Sequence, residues 1–306
     1  MPTLIIPEVF ADAVNARLDS ALRIGRIAFD ATAAVPEVMQ YGDTVHFPQL
    51  KRVVTASEVT KGTAIEPAAV DMQDTSATVK QVAGAARVYD AEAAQIKGLV
   101  MDNMILQVAE AMATKIEADL VDAMDEDIVY KSATAAANAI TADELMAAFG
   151  LFGDDVDTDR FAGIVINSRL LPSFLNMEAF TSIEKTYNKA EQGNGLIVDG
   201  VVGYFIGIPV IVCNNGTYDA TASECKTYIV KRDALGYVFQ RNINVEEERE
   251  SKLLATDIIA SSLYAVKLLD TAGAVVVRKT TGEAGGGGEE GGGGEGGGEE
   301  EDDVTP

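Results

Sequence analysis

The chain has 306 residues, 47% hydrophobic and 24% charged, with 48 acidic against 24 basic residues and a formal net charge of −24. That balance excludes a grip on nucleic acid, which needs clustered Lys and Arg to displace phosphate counterions, whereas the bases here are scattered without a basic run. The single histidine, His46, removes two-His metal sites, and Cys213 and Cys225, with no second pair, indicate neither a zinc framework nor a disulfide scaffold.

The start, MPTLIIPEVF, lacks the basic region and long apolar stretch of a signal peptide. The longest apolar run, Val201 to Cys213, is too short and too punctuated by Gly and Pro to span a membrane. A soluble chain made in a reducing cytosol, with no membrane partner, is the expectation. From Pro7 to Gly25, Val9, Phe10, Ala13, Val14, Leu18 and Leu22 recur at helical spacing, with Pro7 suited to a first turn and Gly25 to a stop. This predicts a short amphipathic arm whose apolar face packs on its own body or on a neighbour.

From Gly42 to Tyr89, Thr44 to Leu50 and Asp74 to Val88 read as strands, with Val45 and Phe47 alternating against Thr44 and His46. The polar connection between them, containing Gly62 and Pro67, is thin in apolar residues. A two-stranded ribbon projecting from the body is predicted, and such a ribbon is marginal in water without support. His46 falls on its polar side, as plain structure.

Asp90 to Asp127 reads as one helix, roughly 57 Å long at 1.5 Å per residue, against a diameter near ~48 Å for a compact body of this size. Met101, Ile105, Val108, Met112, Ile116, Leu120 and Met124 form its apolar face, and Asn103, Gln107, Glu110, Thr114 and Glu117 lie opposite. Asp90 suits an N-cap with Glu92 in the first turn, and only Gly98 interrupts. Either a buried central helix of an α+β enzyme or a strut in a plate-like subunit accounts for the length.

Downstream, Thr141-x-x-Glu144 is a capping box opening a helix to Phe152, Phe161 to Asn167 is a strand, and Ser168 caps another short helix. Leu196 to Val212 alternates strand pieces with Gly200, Gly203 and Gly207, as tight turns require. Tyr228 to Glu248 reads as paired strands, Ser251 to Leu269 as a strand set, and Ala274 to Arg278 as a last strand. From Thr281 to Pro306 there are twelve glycines, nine acids and no base, so this tail is expected to be disordered. Setting those nine charges aside leaves −15 for residues 1 to 280.

The motifs that might carry chemistry fall short. Gly193-x-Gly195 has Val198 at the third fingerprint position and precedes a strand instead of opening a helix. Asp155, Asp157 and Asp159 copy the first ligands of a calcium loop, but Arg160 stands at position six and Ile166 at position twelve, favouring a solvated acidic loop. Glu246, Glu247, Glu248 and Glu250 beside Arg249 fit an exposed or intersubunit face better than a catalytic pair. Asn215-Gly216-Thr217 reads as an Asn-Gly turn. No catalytic residue, metal site or cofactor is expected.

The order of parts, together with YGDTVHFPQL, VYDAEAAQI, GYFIGIPVIVCNNG and ATDIIASSLYAVKLLDTAGAVVVR, resembles the tailed-bacteriophage major capsid protein with its Hong Kong 97 type coat fold. The resemblance covers roughly residues 1 to 280 and implies an α+β fold: N-terminal arm 1–41, extended β-hairpin loop 42–89, peripheral domain with a spine helix 90–132 and 226–280, axial domain 133–225, and disordered tail 281–306. It implies self-assembly as pentamers and hexamers into an icosahedral shell enclosing double-stranded DNA without sequence-specific binding, with separate scaffolding and portal partners, in the host cytoplasm during assembly and then in the virion. Crosslinking family members use an extended-loop Lys; Lys51 and Lys61 stand there by position, and no bond is inferred. Arg52, Lys61, Glu247 and Arg249 are the candidate intersubunit polar contacts. An encapsulin-like compartment shell and a soluble enzyme with an unrecognised carboxylate site are the alternatives.

Overall fold

The computed structural model describes residues 7–32, 42–50, 58, 72–91, 99–135, 139–181 and 200–281. The elements run α1 (Pro7–Ala21), β1 (Phe29–Asp30), β2 (Thr44–Leu50), β3 (Met72–Thr78), β4 (Lys80–Tyr89), α2 (Leu99–Asp127), β5 (Tyr130–Ala135), α3 (Ala142–Gly150), β6 (Phe161–Ile166), α4 (Leu171–Leu175), α5 (Glu178–Thr181), β7 (Val201–Phe205), β8 (Ile208–Val212), β9 (Tyr218–Asp219), β10 (Glu224–Lys231), β11 (Leu235–Glu250), β12 (Ala255–Leu268) and β13 (Ala274–Thr280). They make a four-stranded sheet ordered β1-β11-β12-β4, a seven-stranded sheet ordered β5-β13-β10-β6-β8-β7 with β9 also on β10, and the ribbon β2-β3.

The long apolar strands of the larger sheet are explained by burial on both faces. Val165, Ile211, Tyr228, Val230 and Val276 face a core shared with α1 and α2. Their strand neighbours Ile164, Val210, Val212, Ile229, Val275 and Val277 face a second core with Leu145, Phe149 and Phe174 of α3 and α4. The period of two thus splits one sheet between two cores. The four-stranded sheet does the same: Tyr264 and Val266 point to the α2 side, while Val238 and Ala265 pack with Val45, Phe47 and Ala77 from the base of the ribbon.

Helix α2 covers 29 residues, about 43 Å. Asp90 and Ala91 are helical, at the predicted start, while the predicted continuation through residues 92–98, with Glu92 and Gly98, lies outside the described residues. Val108, Met112, Ile116, Leu120 and Met124 are buried as the spacing requires, each contributing roughly 1.5–3 kcal/mol if fully buried. The apolar stripe is wider than predicted, because Ala109, Ala113 and Val121 are buried too, and Glu117, placed by spacing on the solvent side, is only 2% exposed. The cause is α1, which lays Val14, Leu18 and Leu22 into the same core. Of the two partners left open for the arm's apolar face, its own body takes it, and Asn15 fixes the docking by exchanging two hydrogen bonds with the Ile243 backbone, 3.3 and 3.1 Å.

The ribbon strand Thr44–Leu50 forms as read and pairs from Thr44↔Thr78 to Leu50↔Met72. His46 is exposed between buried Val45 and Phe47. The second strand breaks at buried Val79, where the chain leaves β3 for β4 of the larger structure. The stretch predicted as paired strands from Tyr228 to Glu248 does not pair with itself: β10 joins β13 and β6, while β11 joins β12. A turn with Asp233 at φ 61° passes the chain between the two sheets. Alternation specifies that a segment is a strand but not which edge it meets. The capping box forms as read, with the Thr141 side chain accepting from the Glu144 amide and Glu144 accepting from the Thr141 amide at 2.9 Å, although the helix ends at Gly150. The next cap is Asn167, one residue before the predicted Ser168, its side chain accepting from the Arg169 amide. Ile206 and Gly207, both at positive φ, close the β7–β8 hairpin, the geometry of a tight primed turn.

Candidate functional site

Helix α2 carries a ladder of carboxylates, each of which fastens a different part of the chain. Glu117 accepts from the backbone amides of Arg23 and Ile24, the latter at 3.2 Å, where the chain turns out of α1. Its other oxygen accepts from Asn215 Nδ2 at 2.6 Å and Cys213 Sγ at 3.3 Å, in the loop after β8. Arg23 closes the ring by donating to the Val212 carbonyl at 2.9 Å. Gly216 makes the approach possible: at φ 73°, with Val121 3.0 Å from where a Cβ would stand, a side chain is excluded. The Asn-Gly turn read from sequence is therefore the seat of a tertiary anchor.

A cavity of about 570 Å³ opens beside this ring, lined among others by Ala21, Arg23, Glu110, Thr114 and Asn215. Its one thiol is a poor nucleophile, since burial and the adjacent Glu117 push Cys213 up to about 12. Chemically the arrangement is a clamp.

Further along the helix, from Asp119 two residues on to Asp127 nearly three turns on, the other carboxylates tie in the sheets. Asp119, 3% exposed, accepts from Tyr264 Oη at 2.6 Å and Lys115 Nζ at 2.9 Å, with Lys80 Nζ of β4 at 3.5 Å. Asp125 pairs with Lys226 of β10 at 2.9 Å and Arg278 of β13 at 2.7 Å. Asp127 pairs with Lys267 of β12 at 2.6 Å. Burial opposes ionisation of Asp119, but the Tyr264 and Lys115 hydrogen bonds outweigh it and hold the carboxyl below the usual value; Asp125 is held down by Lys226 and Arg278 against the same burial.

A pH dependence follows. These depressed carboxylates stabilise the fold fully above their unfolded values near ~4, and the contribution is lost as pH falls through the lower folded values. Denaturant midpoints should therefore drop as pH is taken from about 6 to about 3. Asp119→Asn should lose stability at pH 6 and show a shallower drop, and an unchanged slope would remove Asp119 from this account.

Of the four candidate contact residues, Arg52 and Lys61 lie outside the described residues, as does Lys51. Glu247 and Arg249 share one face of the outer half of β11, opposite Ile258 and Thr256. Arg249 makes a two-pronged pair with Asp90, 2.6 Å on each arm, and also donates to Thr256 Oγ1 at 3.1 Å, so it acts inside the chain while remaining 44% exposed. Glu250 of the same run accepts from Arg87 at 2.9 Å, and Arg87 forks onto Asp257 at 2.6 and 2.7 Å. The acidic run is thus partly neutralised across β4, β11 and β12.

The would-be calcium loop is likewise turned to internal use: Asp155 pairs with Arg160 and, at 2.8 Å, with Lys231, which also lies over the Phe152 ring. Among the described residues no group of three or more His, Cys, Asp or Glu is placed to hold a metal ion. Sequence reading missed Glu117, Asp119 and Asp125, whose signal was available only as carboxylates at positions flanking the apolar stripe.

Compared with known proteins, residues 72–277 match the phage capsid protein family. No curated protein sequence matches the chain. Solved structures with the same fold include that of Mycobacterium phage Che8, 17% identical, TM-score 0.61, covering 83% of this chain and 89% of that one. The capsid of a native GTA particle is 11% identical, TM-score 0.61, with 86% and 91% covered. Gordonia phage Cozz is 11% identical, TM-score 0.58, with 83% and 87% covered. At these identities the likeness is one of fold.

Proposed function

The chain belongs to the phage capsid protein family, and from that premise we propose that it works as the major coat protein, assembling as pentamers and hexamers into an icosahedral shell around double-stranded phage DNA. The observation that carries the reading is the family match over residues 72–277, on a mixed helix-and-sheet fold of the Hong Kong 97 type. The role is structural, and catalysis has no part in it.

The physical chemistry of the chain supports the rest of the proposal. A wall with formal charge −15 in residues 1 to 280 repels the DNA it encloses. Scaffolding and portal proteins are the partners of assembly, which takes place in the host cytoplasm. In the domain division proposed here, α2 serves as the spine, with its C-terminal half joined to both sheets through Asp119, Asp125 and Asp127. The match to phage capsid protein favours a virion shell over the encapsulin-like compartment, which shares the fold.

Concentrated full-length protein, alone and with a co-expressed scaffold, is expected to give shells, tubes or five- and six-fold rings by negative-stain electron microscopy. A sample that stays monomeric under both conditions would overturn the reading. Arg52, Lys61, Glu247 and Arg249 are proposed as polar contacts between subunits, so charge reversal there should reduce particle yield before it lowers the denaturation midpoint of the dispersed subunit; equal loss of both removes a residue from the interface.

A further inference from the structure

The Asn-Gly turn held by Glu117 is also a reactive pair. The backbone nitrogen of the residue after an asparagine can attack the side-chain carboxamide, and glycine, lacking a Cβ, hinders that attack least. Here the Gly216 nitrogen would form a bond to Asn215 Cγ, the Cγ–Nδ2 bond would break, and ammonia would leave with the proton that the Gly216 amide gives up. The cyclic imide then takes up one water. Opening at the side-chain carbonyl leaves an aspartate, and opening at the main-chain carbonyl leaves an isoaspartate.

The fold supplies the water and withholds the geometry. Asn214 and Asn215 both line the cavity of about 570 Å³, so water reaches the pair and ammonia has a way out. Ring closure, however, needs the carboxamide to turn its flat face toward the Gly216 nitrogen. Asn215 Nδ2 is pinned to Glu117 at 2.6 Å, and rotation breaks that charge-assisted hydrogen bond. Gly216 is seated at φ 73°, with Val121 and the Ala118 Cα 3.0 and 3.4 Å from where a Cβ would stand, so α2 blocks its movement as well. As a hydrogen-bond acceptor, Glu117 also offers the departing nitrogen no proton.

The product does not fit the place its parent leaves. A carboxylate at position 215 sets an acceptor against Glu117 Oε2 where a donor stood, and adds a negative charge beside a side chain that is 2% exposed. An isoaspartate also lengthens the main chain by a methylene, which moves Gly216 from its seat on Val121.

We propose that Asn215-Gly216 is a site of spontaneous, irreversible deamidation that the Glu117 clamp holds in check. Opening of the clamp lets the imide close, and the new carboxylate then keeps α1 and the β8–β9 loop from refastening. The step needs no co-reactant but water and does not depend on the coat-protein reading.

Peptide mapping by mass spectrometry of the full-length chain, aged at mildly alkaline pH, follows deamidation at Asn215. Asn194-Gly195, a second such pair that lies outside the described residues, is the reference within the same chain. Native wild type is expected to react at Asn215 roughly tenfold or more slowly than the same chain in denaturant, since reaction waits on local opening. Glu117→Ala is expected to raise the Asn215 rate toward the denatured value while the Asn194 rate stays as in wild type. Asn215→Asp, which installs the product directly, is expected to lower the denaturant midpoint. Glu117→Gln in that background should recover most of the loss, because its NH₂ donates to the new carboxylate while its oxygen still accepts from the Arg23 and Ile24 amides. Equal Asn215 rates in native and denatured wild type, no acceleration in Glu117→Ala, or a rise there that Asn194 shares through general unfolding would overturn the control by Glu117. A wild-type midpoint for Asn215→Asp would overturn the release of the clamp.

Discussion

Replacing Glu117 with alanine is expected to cost about 3–5 kcal/mol of subunit stability, as a loss of denaturant midpoint at neutral pH. The carboxylate is 2% exposed and accepts four hydrogen bonds: from the Arg23 and Ile24 amides, Asn215 Nδ2 and Cys213 Sγ. Deletion leaves the buried Ile24 amide, the Arg23 amide and the Asn215 side-chain amide without this acceptor, and an orphaned buried donor costs roughly 1–3 kcal/mol, less where the adjoining cavity admits water. The same change loosens α1 from α2 and the β8–β9 loop together, so protease sensitivity should rise near both Arg23 and Asn215. Glu117→Gln keeps one acceptor oxygen but turns an NH₂ toward two donors, and should fall between wild type and alanine. A loss below about 1 kcal/mol for the alanine variant would show that the clamp is not a stability element.

The second large effect is expected at Glu144, through the lysine it neutralises. Lys279 of β13 is 1% exposed, and Glu144 of α3 is the carboxylate bonded to its ammonium. The Lys279 hydrogen bond and the Thr141 amide hold the Glu144 carboxyl below its usual value, against the desolvation that burial imposes. Glu144→Gln keeps an oxygen for the capping box but strands a buried cation, which should cost about 3 kcal/mol or more. Lys279→Met in the same chain removes that cation and fills similar volume, so the double variant should regain most of the loss in a double-mutant cycle. The sign with pH is fixed: the pair stabilises above the unfolded carboxyl value near ~4.3 and is lost as pH falls through the lower folded value. In Glu144→Gln that part of the acid sensitivity should be gone. Additive single effects would mean that the two side chains do not depend on one another.

Some of these elements were legible from residue spacing because local physics determines them. The Thr141–Glu144 box involves only neighbours in sequence, and it formed as read. The Thr44–Leu50 strand carries its own alternation, and Val45, His46 and Phe47 fell on the expected sides. The helix through Val108, Met112, Ile116, Leu120 and Met124 needs only its 3.6-residue period. Glu117 was misplaced for the same reason: spacing reports the angle of a side chain around a helix, not how many elements cover that helix, and α1 arrives from about a hundred residues away to bury it. Partner choice among strands failed likewise, since β10 and β11 are adjacent in sequence and end in different sheets.

The sequence by itself determined the acidic charge, the segments able to be helix or strand, the presence of a single histidine and the order of parts that resembles the capsid family, because each is a property of composition or of neighbours along the chain. Only the tertiary structure decided that α1 docks on its own body and that Glu117, Asp119 and Asp125 fasten α2 to its surroundings. Those facts rest on contacts between residues tens to more than a hundred positions apart. Desolvation and hydrogen bonding act across space, so a carboxylate's role is set by what the fold brings to it.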